Sequence, residues 1–76
     1  MKIIGETIHF NSSPFFYKKE LSGNKNNTIR RIPFCDFYEL SKDILFICIH
    51  SSVHGYYFQR KLTDISYYDG NFIFSW

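Results

Sequence analysis

The feature that most constrains the fold is an apolar run near the middle of the chain. Within residues 43 to 50, the segment Ile44-Leu45-Phe46-Ile47-Cys48-Ile49 contains no charged or amide side chain. A short apolar run of this kind is typical of a strand that is buried on both faces. The sequence has 76 residues, which is enough for one core and too few for two. We therefore expect residues 1–76 to form a single domain built around this strand.

Cap and turn signals divide the rest of the chain into short elements. Ser12 or Ser13 can cap a helix whose first turn contains Pro14, and Gly23 suits the left-handed turn after its end. Asp69-Gly70 is a hairpin signal. The predicted elements are a strand over 2–10 that is interrupted at Gly5, a helix over 13–22, and strands over 27–33, 43–50, 56–65 and 71–76. Residues 34–42 fit either a packed loop or a short strand.

This order of elements predicts the fold class. One short helix followed by a meander of strands is typical of an α+β protein that is mostly β. We expect a small, mostly antiparallel β-barrel of five to six strands with the helix over one end.

Positive charge is concentrated in one segment. The formal net charge is +2, but residues 17 to 31 contain five basic residues and a single acid, Glu20. A local basic patch on a nearly neutral chain favours a phosphate-bearing partner such as RNA or a nucleotide. A solvated helix face with ordinary strand charges is the alternative interpretation of the same pattern.

The basic segment contains the pattern Gly23-x-Lys25-x-x-Thr28-x-Arg30. Side chains alternate along a strand, so Thr28 and Arg30 should share one face, with Lys25 on the loop before them. A lysine, a hydroxyl and a guanidinium at one place can bind a phosphate or a carbonyl group, or can activate a nucleophile. Gly23, Lys25, Thr28 and Arg30 are therefore the predicted ligand-binding residues.

The arrangement of a helix, this pattern and a strand resembles the ASCH group of the PUA-like superfamily, which are small β-barrels related to RNA-binding domains. The usual family pattern is Gly-x-Lys-x-x-Glu-x-Arg. Threonine in place of glutamate resembles the branch of bacterial N4-acetylcytidine amidohydrolases, whose segment runs Gly-x-Lys-Thr-x-Thr-Ile-Arg. Asn26 departs from that segment. The matching residues are Gly23, Lys25, Thr28, Ile29 and Arg30, after a helix with Pro14, Phe16 and Tyr17.

The resemblance also implies a chemistry. In that branch the lysine and the threonine are catalytic, which would assign these roles to Lys25 and Thr28 if this chain is an enzyme. The branch also uses a glutamate from a later helical segment, and this sequence has none at the corresponding place. Asp64 and Asp69 are the acids considered instead, in a different context. The sequence therefore favours a binding protein over an enzyme.

The cysteines and histidines predict neither a disulfide framework nor a metal site. His50 and His54 flank an expected turn, and Cys35 and Cys48 lack a neighbouring Cys-x-x-Cys partner. We predict no cofactor. No apolar run is long enough for a signal peptide or a membrane span, so we expect a cytoplasmic protein with reduced thiols and no membrane contact.

Three functions remain open from the sequence. The first is a PUA-like module that binds RNA, a nucleotide or a modified nucleoside, with exposed tyrosines for stacking. The second is a phage or mobile-element protein that inhibits a host defence protein through its surface. Residue types with AT-rich codons (Ile, Phe, Tyr, Lys and Asn) supply 36 of the 76 residues, which is common in such genomes. The third is a minimal amidohydrolase that acts on N4-acylated cytidine.

Overall fold

The computed structural model describes residues 2–32, 43–53 and 55–76. These residues form one helix and seven strands. In chain order they are β1 (Lys2–Ile4), β2 (Thr7–Ser12), α1 (Pro14–Ser22), β3 (Asn27–Arg31), β4 (Phe46–Ser51), β5 (Tyr57–Lys61), β6 (Asp64–Tyr68) and β7 (Asn71–Ser75). The described part of the chain is therefore a small, mostly β protein of the α+β class, as the sequence predicts.

The strands form two sheets. A four-stranded sheet has the order β1-β2-β4-β5, and a three-stranded sheet has the order β3-β7-β6. Pairing is antiparallel except between β2 and β4, which are parallel. Parallel neighbours need a long crossover, and residues 13–45, which include α1 and β3, supply it. Strand pairing among the described residues gives two separate sheets and no closed ring, so a barrel is not established.

The core is formed by alternate residues of the strands. Ile8 and Phe10 of β2 are buried beside Ile47 and Ile49 of β4, while Phe74 of β7 is fully buried against them. Ring centroids of Phe10 and Phe74 lie 5.0 Å apart, so the two sheets share one core. The other buried members of this cluster are Tyr17, Ile32, Ile44, Phe58 and Phe72.

The helix follows the predicted signals closely. Ser13 is the N-cap residue and Pro14 occupies the first turn. Gly23 adopts a left-handed conformation with φ of 86°, and its N–H donates to the carbonyl of Glu20. Only a residue without a Cβ adopts this conformation readily, so Gly23 ends the helix. The helix buries Tyr17 and Glu20 and packs against β2 and β4.

Two predicted strands are each divided in the structure. The strand over 2–10 is a hairpin, because a turn at Gly5 reverses the chain between β1 and β2. The strand over 56–65 is two strands, because β5 belongs to the four-stranded sheet and β6 to the three-stranded one. The chain changes sheets between Lys61 and Asp64. The described residues therefore contain more strands than the five or six expected.

The other predicted elements agree with the structure or differ at their ends. The strand expected over 27–33 is β3, and the strand expected over 43–50 starts later, at Phe46. Asp69 and Gly70 connect β6 to β7 with positive φ angles of 50° and 80°, which confirms the predicted hairpin turn. The segment 34–42 lies outside the described residues. No helix in the described ranges is long and apolar enough to cross a membrane.

Candidate functional site

A cleft of about 390 Å³ lies between the helix, the end of β2 and the start of β3. This volume is within the range of small-molecule sites, which is roughly 300–1,000 Å³. Its lining brings together parts of the chain that are distant in sequence. The lining residues are Asn11, Ser12, Ser13, Phe16, Glu20, Lys25, Thr28, Ile29 and Arg30.

Glu20 is the most unusual residue in this cleft. It is 1% exposed, although glutamate is almost never buried without a partner. Its Oε1 atom accepts a hydrogen bond of 2.9 Å from the Ser12 hydroxyl. Its Oε2 atom lies 3.5 Å from the Lys25 ammonium, which is an ion-pair distance, but it receives no hydrogen bond from the described residues. One oxygen of a buried carboxylate is therefore left without a hydrogen-bond donor at the cleft.

Lys25 reaches the carboxylate because the chain reverses after the helix. The backbone N–H of Lys25 donates to the carbonyl of Lys19, and this contact follows the left-handed turn at Gly23. Its Nζ atom donates to the carbonyl of Asn27 over 2.6 Å and pairs with Glu20. The Lys25 side chain is 27% exposed, so its charge is accessible from the cleft.

Arg30 connects β3 to the end of β2. Its Nε atom donates to Thr28 Oγ1 over 3.0 Å, Nη1 donates to the carbonyl of Asn11 over 2.8 Å, and Nη2 donates to the Ser12 hydroxyl over 2.8 Å. The guanidinium also lies 4.8 Å from the centre of the Phe10 ring, a cation–π distance. A guanidinium has five N–H donors, so these three contacts leave two without an acceptor among the described residues.

The balance of charge makes the cleft weakly positive. Lys25 and Arg30 carry one positive charge each, and Glu20 carries one negative charge. Partial burial lowers the pKa of Arg30 from its usual value, while the nearby Glu20 carboxylate raises it. The guanidinium still remains protonated at neutral pH. The cleft thus offers cationic donors and an anionic acceptor side by side.

The predicted site residues have different positions in the structure. Lys25, Thr28 and Arg30 all line the cleft, and the hydrogen bond between Arg30 and Thr28 confirms that these two share a face of the strand. Thr28 is 3% exposed. Gly23 ends the helix and is not among the lining residues.

Sequence reasoning missed Glu20 and Ser12. The family resemblance implies an acid from a segment after the motif, whereas in the structure the carboxylate comes from the helix before the motif. A signal was present, because Glu20 is the single acid in the basic segment and lies three residues after Tyr17, on the same helix face. Asp64 and Asp69, the acids considered from the sequence, are exposed and do not line the cleft.

The aromatic residues at the cleft also differ from expectation. Tyr57, Tyr67 and Tyr68 are between 62% and 76% exposed, but none of them lines the cleft. Phe16 lines it instead, is 49% exposed, and has the Lys25 ammonium 5.7 Å from its ring centre. An exposed aromatic ring at a polar cleft can stack on a flat ligand. Phe15, its neighbour on the helix, is 64% exposed and lies outside the cleft.

Comparison of the chain with protein families, with characterised proteins and with solved structures finds no match. Function is therefore inferred from the residues and geometry of the cleft.

Proposed function

We propose that this protein is a PUA-like module that binds RNA, a nucleotide or a modified nucleoside in the cleft between α1 and β3. The observation that carries this proposal is the buried Glu20 carboxylate, whose Oε2 atom lies beside the Lys25 ammonium and accepts no hydrogen bond from the part of the chain that the structure describes. Leaving a buried acceptor unsatisfied costs about 1–3 kcal/mol, and more when it is charged. A ligand that donates an N–H or O–H group to this oxygen would remove that cost.

A nucleobase has the required complementary groups. Its amino or imino N–H can donate to Glu20, while its carbonyl oxygen or a nearby phosphate can accept from Lys25 and from the free N–H groups of Arg30. Its flat face can stack on Phe16, which is 49% exposed in the cleft lining. Stacking contributes about 1–3 kcal/mol per base.

The charge around the cleft supports a phosphate-bearing form of this ligand. Lys19 is exposed on the same helix that supplies Glu20 and Phe16, and it lies three residues after Phe16, on the same side of the helix. A nucleic-acid backbone that runs from the cleft along this side of the helix would meet this lysine. Binding should then weaken as salt concentration rises, because phosphate binding by cationic side chains releases counterions.

Titration calorimetry at low salt against nucleosides, nucleotides and short single-stranded RNAs tests this proposal. Lys25→Ala and Arg30→Ala should each weaken binding by about 1.5–3 kcal/mol, the value of a charge-assisted hydrogen bond. Both residues also hold the local structure, so Phe16→Ala is the cleaner variant. It should weaken binding by about 1–3 kcal/mol, whereas the control Tyr68→Ala, which removes an exposed ring outside the cleft, should bind like the wild type.

The outcome that contradicts the proposal is an absence of binding to every member of the panel. Equal affinity of the Phe16→Ala and wild-type proteins would also contradict the assignment to this cleft. If no member of the panel binds, inhibition of a host protein becomes the leading hypothesis, and protein partners are the next to be tested.

The second candidate function is a minimal amidohydrolase, and a specific observation favours it. Lys25 pairs with Glu20 at 3.5 Å, and the Thr28 hydroxyl lines the same cleft. The structure thus supplies a carboxylate beside the motif, and nucleophile, amine and carboxylate are the groups that acyl transfer uses. Binding remains the leading proposal for a physical reason. An ion-paired ammonium has no lone pair to act as a base, and Arg30 already donates to Thr28 Oγ1.

Release of acetate from N4-acetylcytidine tests the second candidate. If the protein is this enzyme, Thr28→Ala and Lys25→Ala should each abolish turnover, because nucleophile and base act as a unit. Thr28→Ser should retain some activity, since its hydroxyl can occupy the same place. We expect no turnover by the wild-type protein. Turnover that is lost in Thr28→Ala would replace the binding proposal with the enzymatic one.

A further inference from the structure

A second group of polar side chains lies on the other face of the four-stranded sheet. His9 belongs to β2, while Cys48 and His50 belong to β4. In the parallel register His9 is directly opposite Cys48. Ile8 and Ile47 point into the core, so their neighbours of opposite parity point to the other face. The pairing of β2 with β4 therefore brings together residues that are about forty positions apart in sequence.

The three side chains are close enough to share one ion. His9 Nδ1 lies 2.9 Å from His50 Nε2, and Cys48 Sγ lies 3.4 Å from the same Nε2 atom. All three atoms lie within 4.8 Å of one another. Cys48 is 2% exposed and has a free thiol, and the two histidines are partly buried.

Hydrogen bonds alone satisfy this arrangement poorly. A neutral histidine nitrogen offers either one lone pair or one N–H group. His50 Nε2 has two close neighbours, His9 Nδ1 and Cys48 Sγ, so its single proton or its single lone pair, depending on the tautomer, would have to serve both of them. An ion between the three atoms would contact all of them at once.

We propose that His9 Nδ1, Cys48 Sγ and His50 Nε2 bind a zinc ion. Imidazole nitrogen and thiolate sulfur are the ligands that Zn²⁺ prefers, and three protein ligands leave a fourth position open. Two of the three ligands, His9 and His50, line a cavity of about 340 Å³ together with Lys2, Ile4 and Asn11. Water or a small anion that enters through this cavity would supply the fourth ligand.

The geometry agrees with zinc. Bond lengths of about 2.0–2.1 Å to nitrogen and 2.3 Å to sulfur place tetrahedral ligands roughly 3.3 Å apart for two nitrogens and 3.6 Å for nitrogen and sulfur. The measured separations are 2.9 Å and 3.4 Å. The remaining pair, His9 and Cys48, is within 4.8 Å. The tetrahedron is complete when the two nitrogens separate to about 3.3 Å and His9 Nδ1 lies about 3.6 Å from Cys48 Sγ.

Zinc binds imidazole in its neutral form and cysteine as the thiolate, so it must displace the proton of the Cys48 thiol. The positive charge of Lys2 opposes a cation but favours an anionic fourth ligand. Binding should therefore release a proton, as metal–thiolate bonds generally do.

Cobalt provides a spectroscopic test on the full-length, untagged protein under reducing conditions. We expect Co²⁺ to give a thiolate-to-cobalt charge-transfer band and intense visible bands of tetrahedral geometry at one ion per chain. Zn²⁺ should abolish these bands by displacing cobalt. Zn²⁺ should also raise the melting temperature, because an ion that binds only the folded state stabilises it.

Substitutions assign the ligands. Loss of a residue that only hydrogen-bonds to a metal ligand weakens metal binding by about 10–100-fold. Loss of a ligand itself should have a larger effect, so we expect His9→Gln, Cys48→Ser and His50→Gln each to weaken binding by more than about 100-fold. Gln59→Ala, an exposed residue opposite Cys48 on β5, should leave it unchanged. Cys35→Ser is the thiol control and should retain the charge-transfer band. If Cys48→Ser fails to fold, His50→Gln, whose ring is only partly buried, still tests the site.

Three results would overturn the proposal. The first is the absence of a cobalt–thiolate band at one ion per chain. The second is undiminished zinc affinity in a correctly folded His9→Gln or His50→Gln variant. The third is loss of the band in Cys35→Ser, which would place the thiolate elsewhere.

Discussion

The ion pair between Glu20 and Lys25 should contribute far more to stability than a surface ion pair does. At 3.5 Å, the attraction of two unit charges is about 5 kcal/mol for an effective dielectric constant of about 20. Desolvation of Glu20 opposes this gain, and Lys25 is 27% exposed, so solvent screens part of it. We expect a net coupling energy of about 2 kcal/mol, whereas exposed pairs give roughly 0.2–1 kcal/mol.

A double-mutant cycle measures this coupling. Lys25→Met leaves a buried carboxylate without its ion-pair partner and should lower the free energy of unfolding by about 2–3 kcal/mol, below the range of a fully buried pair. Glu20→Gln keeps the shape and the contact with Ser12 but removes the charge. The double variant has neither charge of the pair. Its loss of unfolding free energy should therefore be smaller than the sum of the two single losses, and the difference is the coupling energy.

Urea unfolding followed by fluorescence is the assay. Trp76 is the only tryptophan, and its ring packs edge-on against Phe58 with centroids 6.1 Å apart, so its emission should change on unfolding. Equal m values in all variants are required before free energies are compared. The coupling should persist largely in 1 M salt, because buried pairs are screened less than exposed ones.

Lys18→Met provides the matched control. Lys18 is exposed on the same helix, and residues two apart on a helix do not face each other, so its coupling to Glu20 should be below about 0.5 kcal/mol. A coupling energy between Glu20 and Lys25 that is also below about 0.5 kcal/mol would contradict the prediction. In that case the carboxylate is accessible to water in solution, and the binding proposal loses the buried acceptor on which it depends.

Three further predictions concern the fold. Gly70→Ala should lower the free energy of unfolding by about 1 kcal/mol, because Gly70 has φ of 80°, although the Cβ of an alanine there would make only ordinary contacts. Asparagine tolerates the same turn as aspartate, so Asp69→Asn should change the free energy of unfolding by less than about 0.5 kcal/mol. An unchanged urea midpoint for Gly70→Ala would contradict the turn geometry. Ile49→Val, at a fully buried position, should lower the free energy of unfolding by about 0.5–1.5 kcal/mol. Phe74→Ala should lower it by about 3–5 kcal/mol, which is most of the stability of so small a domain, so circular dichroism should show a largely unfolded chain. A folded Phe74→Ala protein would show that the two sheets do not share this core.

The sequence predicted the local structure best where a residue has only one suitable conformation or environment. Pro14 and Gly23 mark the ends of the helix, Asp69-Gly70 marks a hairpin, and the apolar run before His50 marks a central strand. The sequence also predicted that Thr28 and Arg30 share a face. Each of these depends on backbone conformation or side-chain alternation over a few residues, which a sequence specifies without knowledge of the fold.

Contacts between segments far apart in the chain determined the features that the sequence did not predict. The predicted strand over 56–65 is divided because the chain passes from one sheet to the other, and no local propensity encodes that passage. Glu20 becomes part of the cleft only when the helix packs against β2 and β4, where the Ser12 hydroxyl and Lys25 stabilise its buried charge. His9 meets Cys48 and His50 only through the parallel register of β2 and β4. The sequence by itself thus determined the elements and the Lys25–Thr28–Arg30 motif. The tertiary structure alone determined the partners of these residues, because burial and charge pairing depend on contacts between segments far apart in the chain.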